Sequence, residues 1–423
     1  MSTMANINTI KIAVRKFGPF ENALQKLWDS YCADFGCELI AEMVPMDLDD
    51  LHEAILGKQG LKNGDWDIAH LVTDWLLEAW SSGAVEDVRP YIAQKAPEDF
   101  PDGWSASLLE MQQFGASIVG LPFHDGPECL IYRKDLFDDQ EEQQKYQEQF
   151  GKPLAAPQTW DDFKNIARFF YRPDDNLYGT VFAGLPDGHN TVFDFCLQLW
   201  TRGGELTDKN GKVNIDTTAA VDGLNFYRDM LRDKTVIHPD TMQYESVKAG
   251  MAFARGEAAM MINWFGFASM CEVISESKVK GMVDIAHIPC IEGNKTASLN
   301  VYWLYTIGSG SQHKDIAYDF IRYAINKKND RLLTMEGGIG CRVSTWTDNE
   351  VNTLIPYYNK LEQLHQNARS LPQKTNWEKI ATVIDEVVLQ AINTNIPTEQ
   401  LLAAAQQKIN TIDKVTPNYA DTL

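Results

Sequence analysis

The chain of 423 residues carries 59 acidic against 38 basic residues, a formal net charge of -21, with 44% hydrophobic and 11% aromatic residues. That length and composition suit a globular protein with two or three cores, and so negative a field repels a nucleic-acid backbone or an anionic membrane surface. No stretch approaches the roughly 20 consecutive apolar residues of a membrane helix, and the apolar run at 117–123 is far too short.

The N-terminus, MSTMANINTIKIAV, lacks an apolar signal core with a basic flank, so it reads as a mature form or as a protein that is not secreted. A strand is expected at 10–14, followed by a helix at 21–35 whose apolar residues recur at three and four. A strand at 37–44, a capped helix at 47–61 and a strand at 65–72 come next. This alternation argues for an open, largely parallel α/β sheet with helices on both faces. Ligands of such sheets lie beyond the carboxyl ends of the strands, which singles out Arg15 to Phe17, Met46 and Asp47, and Thr73 to Trp75.

A second block begins near 128, with a strand at 129–133, a helix at 160–171 and a strand at 178–184. The Asn-Gly pair inside 209–213 marks a tight turn. Asp208 and Asp216 flank it but lack the twelve-residue pattern of a calcium loop, so a turn is the reading. A helix at 217–234 and a helix-to-strand segment at 246–262 lead to strands at 283–289 and 299–307, which need a sheet to join. Helices at 376–392 and 398–412 close the chain, the last one started by Pro397 and Thr398. No low-complexity linker or internal repeat separates these blocks, which suits two lobes with interleaved chain segments.

Phosphate loops, a Gly-x-Ser-x-Gly elbow and paired CxxC motifs are missing. His52-Glu53 begins like a zinc motif but meets Leu56 where the second histidine belongs, and GSGS at 308–311 reads as a structural loop before a helix. The eight histidines are scattered, and no metal site is expected. Seven cysteines at 32, 37, 129, 196, 271, 290 and 341 form no disulfide framework. Cys32 and Cys37 are spaced for a surface bridge, but free buried thiols are the blander reading, and this usage leans toward a reducing compartment.

Aromatic residues stand beside polar ones where strands run out: Asp74-Trp75, Phe123-His124-Asp125, Asn263-Trp264, Tyr302-Trp303, with Arg342 further on. A pyranose packs its C–H face on an aromatic ring, and its hydroxyls need donors and acceptors once water is removed. Each candidate has a structural alternative. Trp75 and Trp80 pack a helix on the sheet, Asp47 and Asp74 cap helices, His124 is a satisfied hinge residue, and Arg342 braces a turn.

YRKDLF at 132–137, PQTWDDF at 157–163, WTRGGEL at 200–206, FARGEAAMMINW at 253–264 and GCRVS at 340–344 follow one another in the chain. In this order and spacing they resemble the extracellular solute-binding proteins of ABC sugar importers, the family of maltose- and trehalose-binding proteins, over about Ile10 to Asn410. The resemblance implies a type II periplasmic-binding-protein fold of two lobes, each with a central sheet flanked by helices, and a hinge between them. It puts 1–125 with 283–325 in an N-terminal lobe and 126–282 with 326–423 in a C-terminal one. It also implies a monomer, periplasmic or extracellular once a signal peptide is gone, that closes on a sugar, oligosaccharide or polyol and delivers it to a membrane permease. No catalysis and no cofactor are expected.

In the same terms Trp264 stands at the family's sugar-stacking tryptophan and Trp303 at the tryptophan of a Gly-Gly-Trp motif, whose glycines are here Val301 and Tyr302. Gly340-Cys341-Arg342 keeps the Arg of a Pro-x-Arg turn and loses its Pro, and Phe123 to Asp125 match the first crossover. The expected ligand-binding set is Arg15, Phe17, Asp47, Asp74, Trp75, Phe123, His124, Asp125, Asn263, Trp264, Tyr302, Trp303 and Arg342. Two other classes remain: a carbohydrate-active enzyme, which needs two carboxyls about 5 to 10 Å apart, and an intracellular sugar sensor on the same fold.

Overall fold

The structure, a computed structural model, describes residues 8–415. Two sheets are built from β1 (Thr9–Arg15), β2 (Ile40–Met46), β3 (Ile68–Val72), β4 (Leu121–His124), β5 (Glu128–Arg133), β6 (Tyr178–Val181), β7 (Ala258–Trp264), β8 (Val283–Ala286) and β9 (Trp303–Ile307). The chain divides into two units, Met1–Gly126 with Val301–Leu354 and Pro127–Asn300 with Ile355–Leu423.

The first unit holds the sheet β2-β1-β3-β9-β4. β1 runs parallel to β2 and β3, while β9 is antiparallel to both β3 and β4. All five residues of β3 are buried, as a strand covered on both faces requires. The helix Gly18–Phe35 starts with Pro19 in its first turn, where the missing N–H costs nothing. It buries Phe20, Leu24, Leu27, Trp28 and Tyr31 on one stripe and ends at Gly36 with a left-handed φ of 67°. The single helix expected at 47–61 is broken into Leu48–His52, a π-helical turn Glu53–Gly57 and Gly60–Asn63. Gly57 and Gly60 weaken helical propensity there, and a Cβ on Gly60 would lie 2.3 Å from the Ala54 carbonyl oxygen.

The GSGS segment is a packing device. A Cβ on Gly310 would approach the Lys62 carbonyl oxygen to 2.3 Å, and the Ser311 hydroxyl donates to Asp67 Oδ1 at 2.5 Å. The other Asp67 oxygen accepts the Lys11 N–H at 2.9 Å, which ties the loop to β1.

The second unit holds the sheet β8-β5-β7-β6, in which β5 is antiparallel to both neighbours and β7 is parallel to β6. Both sheets are therefore mixed rather than largely parallel. Thr159 caps the helix Trp160–Phe169 and Thr217 caps Thr218–Arg232, each side chain accepting a first-turn N–H. The helix Asn190–Trp200 is buried along its whole length. Asp208 accepts the N–H groups of Asn210 at 2.8 Å and Lys212 at 3.0 Å, with Gly211 at φ 75°, which makes this segment the expected turn.

The division differs from the lobes read from sequence. β8, expected in the first lobe, pairs with β5 of the second unit, and 326–354 belongs to the first unit, where the helix Lys327–Met335 packs on Gly18–Phe35. The strand expected at 299–307 is two. Ser298–Leu299 pairs with Ala368–Arg369 in the second unit, and β9 pairs with β3 in the first. Asn300, Val301 and Tyr302 are all buried at this crossing, so hydropathy carries no boundary there.

Candidate ligand-binding residues

In the first unit the register Trp303↔Val72 and Trp303↔His124 puts the start of β9 beside the carboxyl ends of β3 and β4, at the same sheet end as Arg15. Trp303 is half-buried at a bulge, and its ring meets the buried Trp75 edge to face at 6.2 Å and 82°. Trp75 in turn edges His52 at 4.9 Å. Asp74 lies half-buried in the short turn Thr73–Trp75. Phe17 is half-buried, 5.0 Å from Phe20 and 6.3 Å from His124. Asp47 is exposed and, instead of capping a helix through its side chain, stands 3.7 Å from both the Arg15 guanidinium and the Lys16 ammonium.

His124 Nδ1 accepts the Ile339 N–H at 2.9 Å. Burial pushes its imidazole down to about 3, so the ring is neutral and its proton resides on Nε2, available as a donor. His70, fully buried on β3 with β9 between it and His124, receives the Arg15 N–H on Nδ1 at 3.3 Å and is likewise pushed down to about 3 by burial.

Three expected contacts in this unit, Phe123, Tyr302 and Arg342, are corrected to packing positions. Phe123 is 2% exposed, stacked on Tyr305 at 4.1 Å and set against His70 at 4.4 Å. It alternates with His124 along β4, so the two cannot face the same side. Tyr302 is wholly buried, its hydroxyl donating to Gln112 Oε1 at 2.7 Å, while its carbonyl accepts the Thr73 N–H at 3.1 Å. Arg342 is also wholly buried. Its guanidinium donates to the Ile325 and Glu98 carbonyls at 3.1 and 2.8 Å and stacks 4.3 Å from the Trp104 centroid. Asp125 is 2% exposed, and its N–H donates to the Ile339 carbonyl at 3.0 Å.

In the second unit Trp264 ends β7 half-buried, with Phe193 edge-on at 5.6 Å and 81°. Asn263 beside it points to the opposite face. Its amide donates to the Ser246 carbonyl at 3.0 Å and accepts the Trp264 N–H at 2.9 Å. The expected ligand contact at Asn263 is therefore corrected to a clamp on the strand end.

Two acids in this unit escaped the sequence reading. Glu128 is the cross-strand partner of Trp264 and is 4% exposed; Asp194, on the helix Asn190–Trp200, is 6% exposed. Burial, reinforced by Asp194, pushes the Glu128 carboxyl well above its usual range, and burial raises Asp194 to about 7 against a hydrogen bond from Tyr227. The available signal was Glu128 at the head of the apolar run CLIY and Asp194 within the largely apolar run VFDFCLQLW.

The sequence profile of the bacterial extracellular solute-binding proteins matches residues 47–331. A maltotriose-binding protein of Pyrococcus abyssi is 22% identical over 403 residues, covering 91% of this chain and 78% of that protein. The maltose-bound MalE3 structure of T. maritima superposes with a TM-score of 0.83 at 23% identity, covering 96% of this chain and 99% of that one. A solute-binding protein of Agrobacterium radiobacter K84 in complex with ribitol gives 0.84 at 22% identity, covering 96% and 98%. The mixed α/β architecture of two sheet-containing units is that of these binding proteins. Among the described residues no helix is long and apolar enough to cross a membrane.

Proposed function

The chain belongs to the bacterial extracellular solute-binding protein family, and we propose that its solute is a sugar, an oligosaccharide or a polyol. The observation that carries this reading is the pair Trp264 and Trp303, each half-buried at a strand terminus and each backed edge-on by a buried aromatic, Phe193 and Trp75. A ring held in this way offers a rigid apolar plate to the C–H face of a carbohydrate. Arg15, Asp47, Asp74 and His124 supply donors and acceptors for hydroxyls at the sheet end that carries Trp303. The names of the maltotriose-binding relative and of the maltose- and ribitol-bound neighbours support the same ligand class, and the net charge of -21 favours a neutral or cationic solute.

On this reading the protein binds its ligand without a covalent step or cofactor and hands it, outside the cytoplasmic membrane, to the permease of an ABC importer. A thermal-shift panel of mono-, di- and oligosaccharides, polyols and sugar acids tests it, because a ligand that binds only the folded state raises the melting temperature. A rise with one class, and recovery of that compound uncleaved, is the expected result. A flat response across the panel at millimolar concentration overturns the ligand class, and cleavage products overturn the non-catalytic reading.

A further inference from the structure

Glu128 opens β5 directly opposite Trp264 of β7, so both side chains leave the same face of the sheet. The helix Asn190–Trp200 meets that face through Phe193, whose ring edges Trp264 at 5.6 Å, and the next residue, Asp194, acts electrostatically on Glu128. Tyr227, on Thr218–Arg232, donates its hydroxyl to Asp194 Oδ2 at 2.5 Å. Glu128 Oε2 is buried with no hydrogen-bond partner among the described residues.

Among the described residues no cation acts on either carboxyl; His189 packs its ring on Phe193 at 5.9 Å and lies near Asp385. Cys129 and Cys196 lie near Glu128, and Asp385 lies near Tyr227. Lys360, near Cys129, donates to Asp284 at 2.5 Å, and Arg369, near Cys196, reaches Glu205 at 3.2 Å. Two neighbouring buried carboxyls without a facing cation do not both ionise. The Tyr227 hydroxyl favours the charge on Asp194, which leaves the proton with Glu128.

We propose that Glu128 holds this shared proton and presents its O–H to a hydroxyl oxygen of the ligand beside the Trp264 ring, which makes the Glu128–Asp194 pair a selector for neutral polyhydroxylated compounds. The inference rests on the proposed sugar or polyol ligand. A neutral acid with an unused donor gains a partner from such a ligand, whereas an ionised Glu128 would present only acceptors and a second buried charge.

Two measurements test it. The first needs no ligand: the unfolding midpoint of the parent protein, Glu128→Gln and Asp194→Asn is followed from pH 5 to pH 9. The folded pair retains protons that the unfolded chain releases, so parent stability falls as pH rises through this window, and each variant is expected to flatten the decline. Unchanged slopes in both variants overturn the shared proton. The second is calorimetry with maltose, ribitol, D-mannitol and choline at pH 6 and pH 9. The parent is expected to lose about tenfold in affinity for its polyhydroxylated probe at the higher pH. Glu128→Gln, a permanently neutral donor, is expected to bind the probe without the loss between pH 6 and pH 9.

A Gln variant with the parent's pH dependence overturns the ligand contact. Tighter choline binding at pH 9 overturns the hydroxyl-donor role and assigns the pair to a cation. If none of the four probes binds, the compound that raises the melting temperature in the thermal-shift panel replaces them; a flat panel overturns the ligand reading and the donor role with it, while the first measurement still judges the shared proton.

Discussion

The rings of Trp75 and Trp303 meet edge to face, 6.2 Å between centroids and 82° between planes. Trp75 is 5% exposed, whereas Trp303 keeps part of its ring open at the start of β9, so one indole is the support and the other the surface it supports. Replacing Trp303 by Ala should cost about 1 to 3 kcal/mol of ligand affinity with little loss of stability, as for a central aromatic anchor. Trp75→Ala should cost about 3 to 5 kcal/mol of stability through the cavity it leaves. Calorimetry and urea unfolding on both variants separate the roles, and unchanged affinity in Trp303→Ala would remove it from the site. Trp264→Ala, backed by Phe193, is expected to behave like Trp303→Ala.

Arg342 offers the reverse case. Its guanidinium is wholly buried, bonded to the Ile325 and Glu98 carbonyls and stacked on Trp104. Arg342→Ala would strand two buried carbonyl oxygens and open a void, for a loss of about 2 to 4 kcal/mol. The melting temperature should drop, while affinity measured below the new midpoint stays within twofold of the parent. A large affinity loss with unchanged stability would restore Arg342 to the ligand set.

His70 dictates an acid limb in the stability profile. Burial holds its folded form at about 3, against about 6.5 in the unfolded chain. The unfolded state therefore binds more protons between those values, and stability is lost as pH falls from about 6.5 toward 3, by at most ~1.4 kcal/mol per pH unit. His70→Asn keeps an acceptor for the Arg15 N–H but cannot titrate, so its urea midpoint should fall less steeply between pH 7 and pH 4 than the parent's. Parallel profiles would mean that His70 does not stay neutral in the fold.

Gly310 tests the reading of the GSGS segment. An Ala Cβ there would lie 2.3 Å from the Lys62 carbonyl oxygen and 2.4 Å from the Gly64 nitrogen, both backbone atoms with little freedom to retreat. Gly310→Ala should lower stability by about 1 to 3 kcal/mol, as overpacking does. Ser309→Ala, which loses one exposed hydrogen bond to Gly83, should cost less than about 1 kcal/mol. Equal, small effects on the denaturation midpoint would deny the loop its packing role.

The elements with strong periodicity are legible in the chain alone: β1, the helix Gly18–Phe35, the helix Trp160–Phe169 and the two long C-terminal helices all lie close to their expected bounds. Hydrophobic spacing, caps and prolines act within a turn or two, so they are legible in the chain. The ordered signatures were sufficient for the family because they lie along the whole chain, and Trp264 and Trp303 were legible as strand-end aromatics for the same reason.

Tertiary structure decided which residue beside each aromatic faces inward. Phe123, Tyr302, Asn263 and Arg342 carry the same chemistry as residues of a sugar site, yet each is satisfied within its own unit by groups up to 244 positions away in sequence. It also decided that the run 299–307 leaves one sheet and enters another, because both ends are equally buried and hydropathy does not change where the chain crosses. The Glu128–Asp194 pair is the same lesson in charge: each acid is an ordinary side chain in its own segment, and only the fold removes water from both and brings them together.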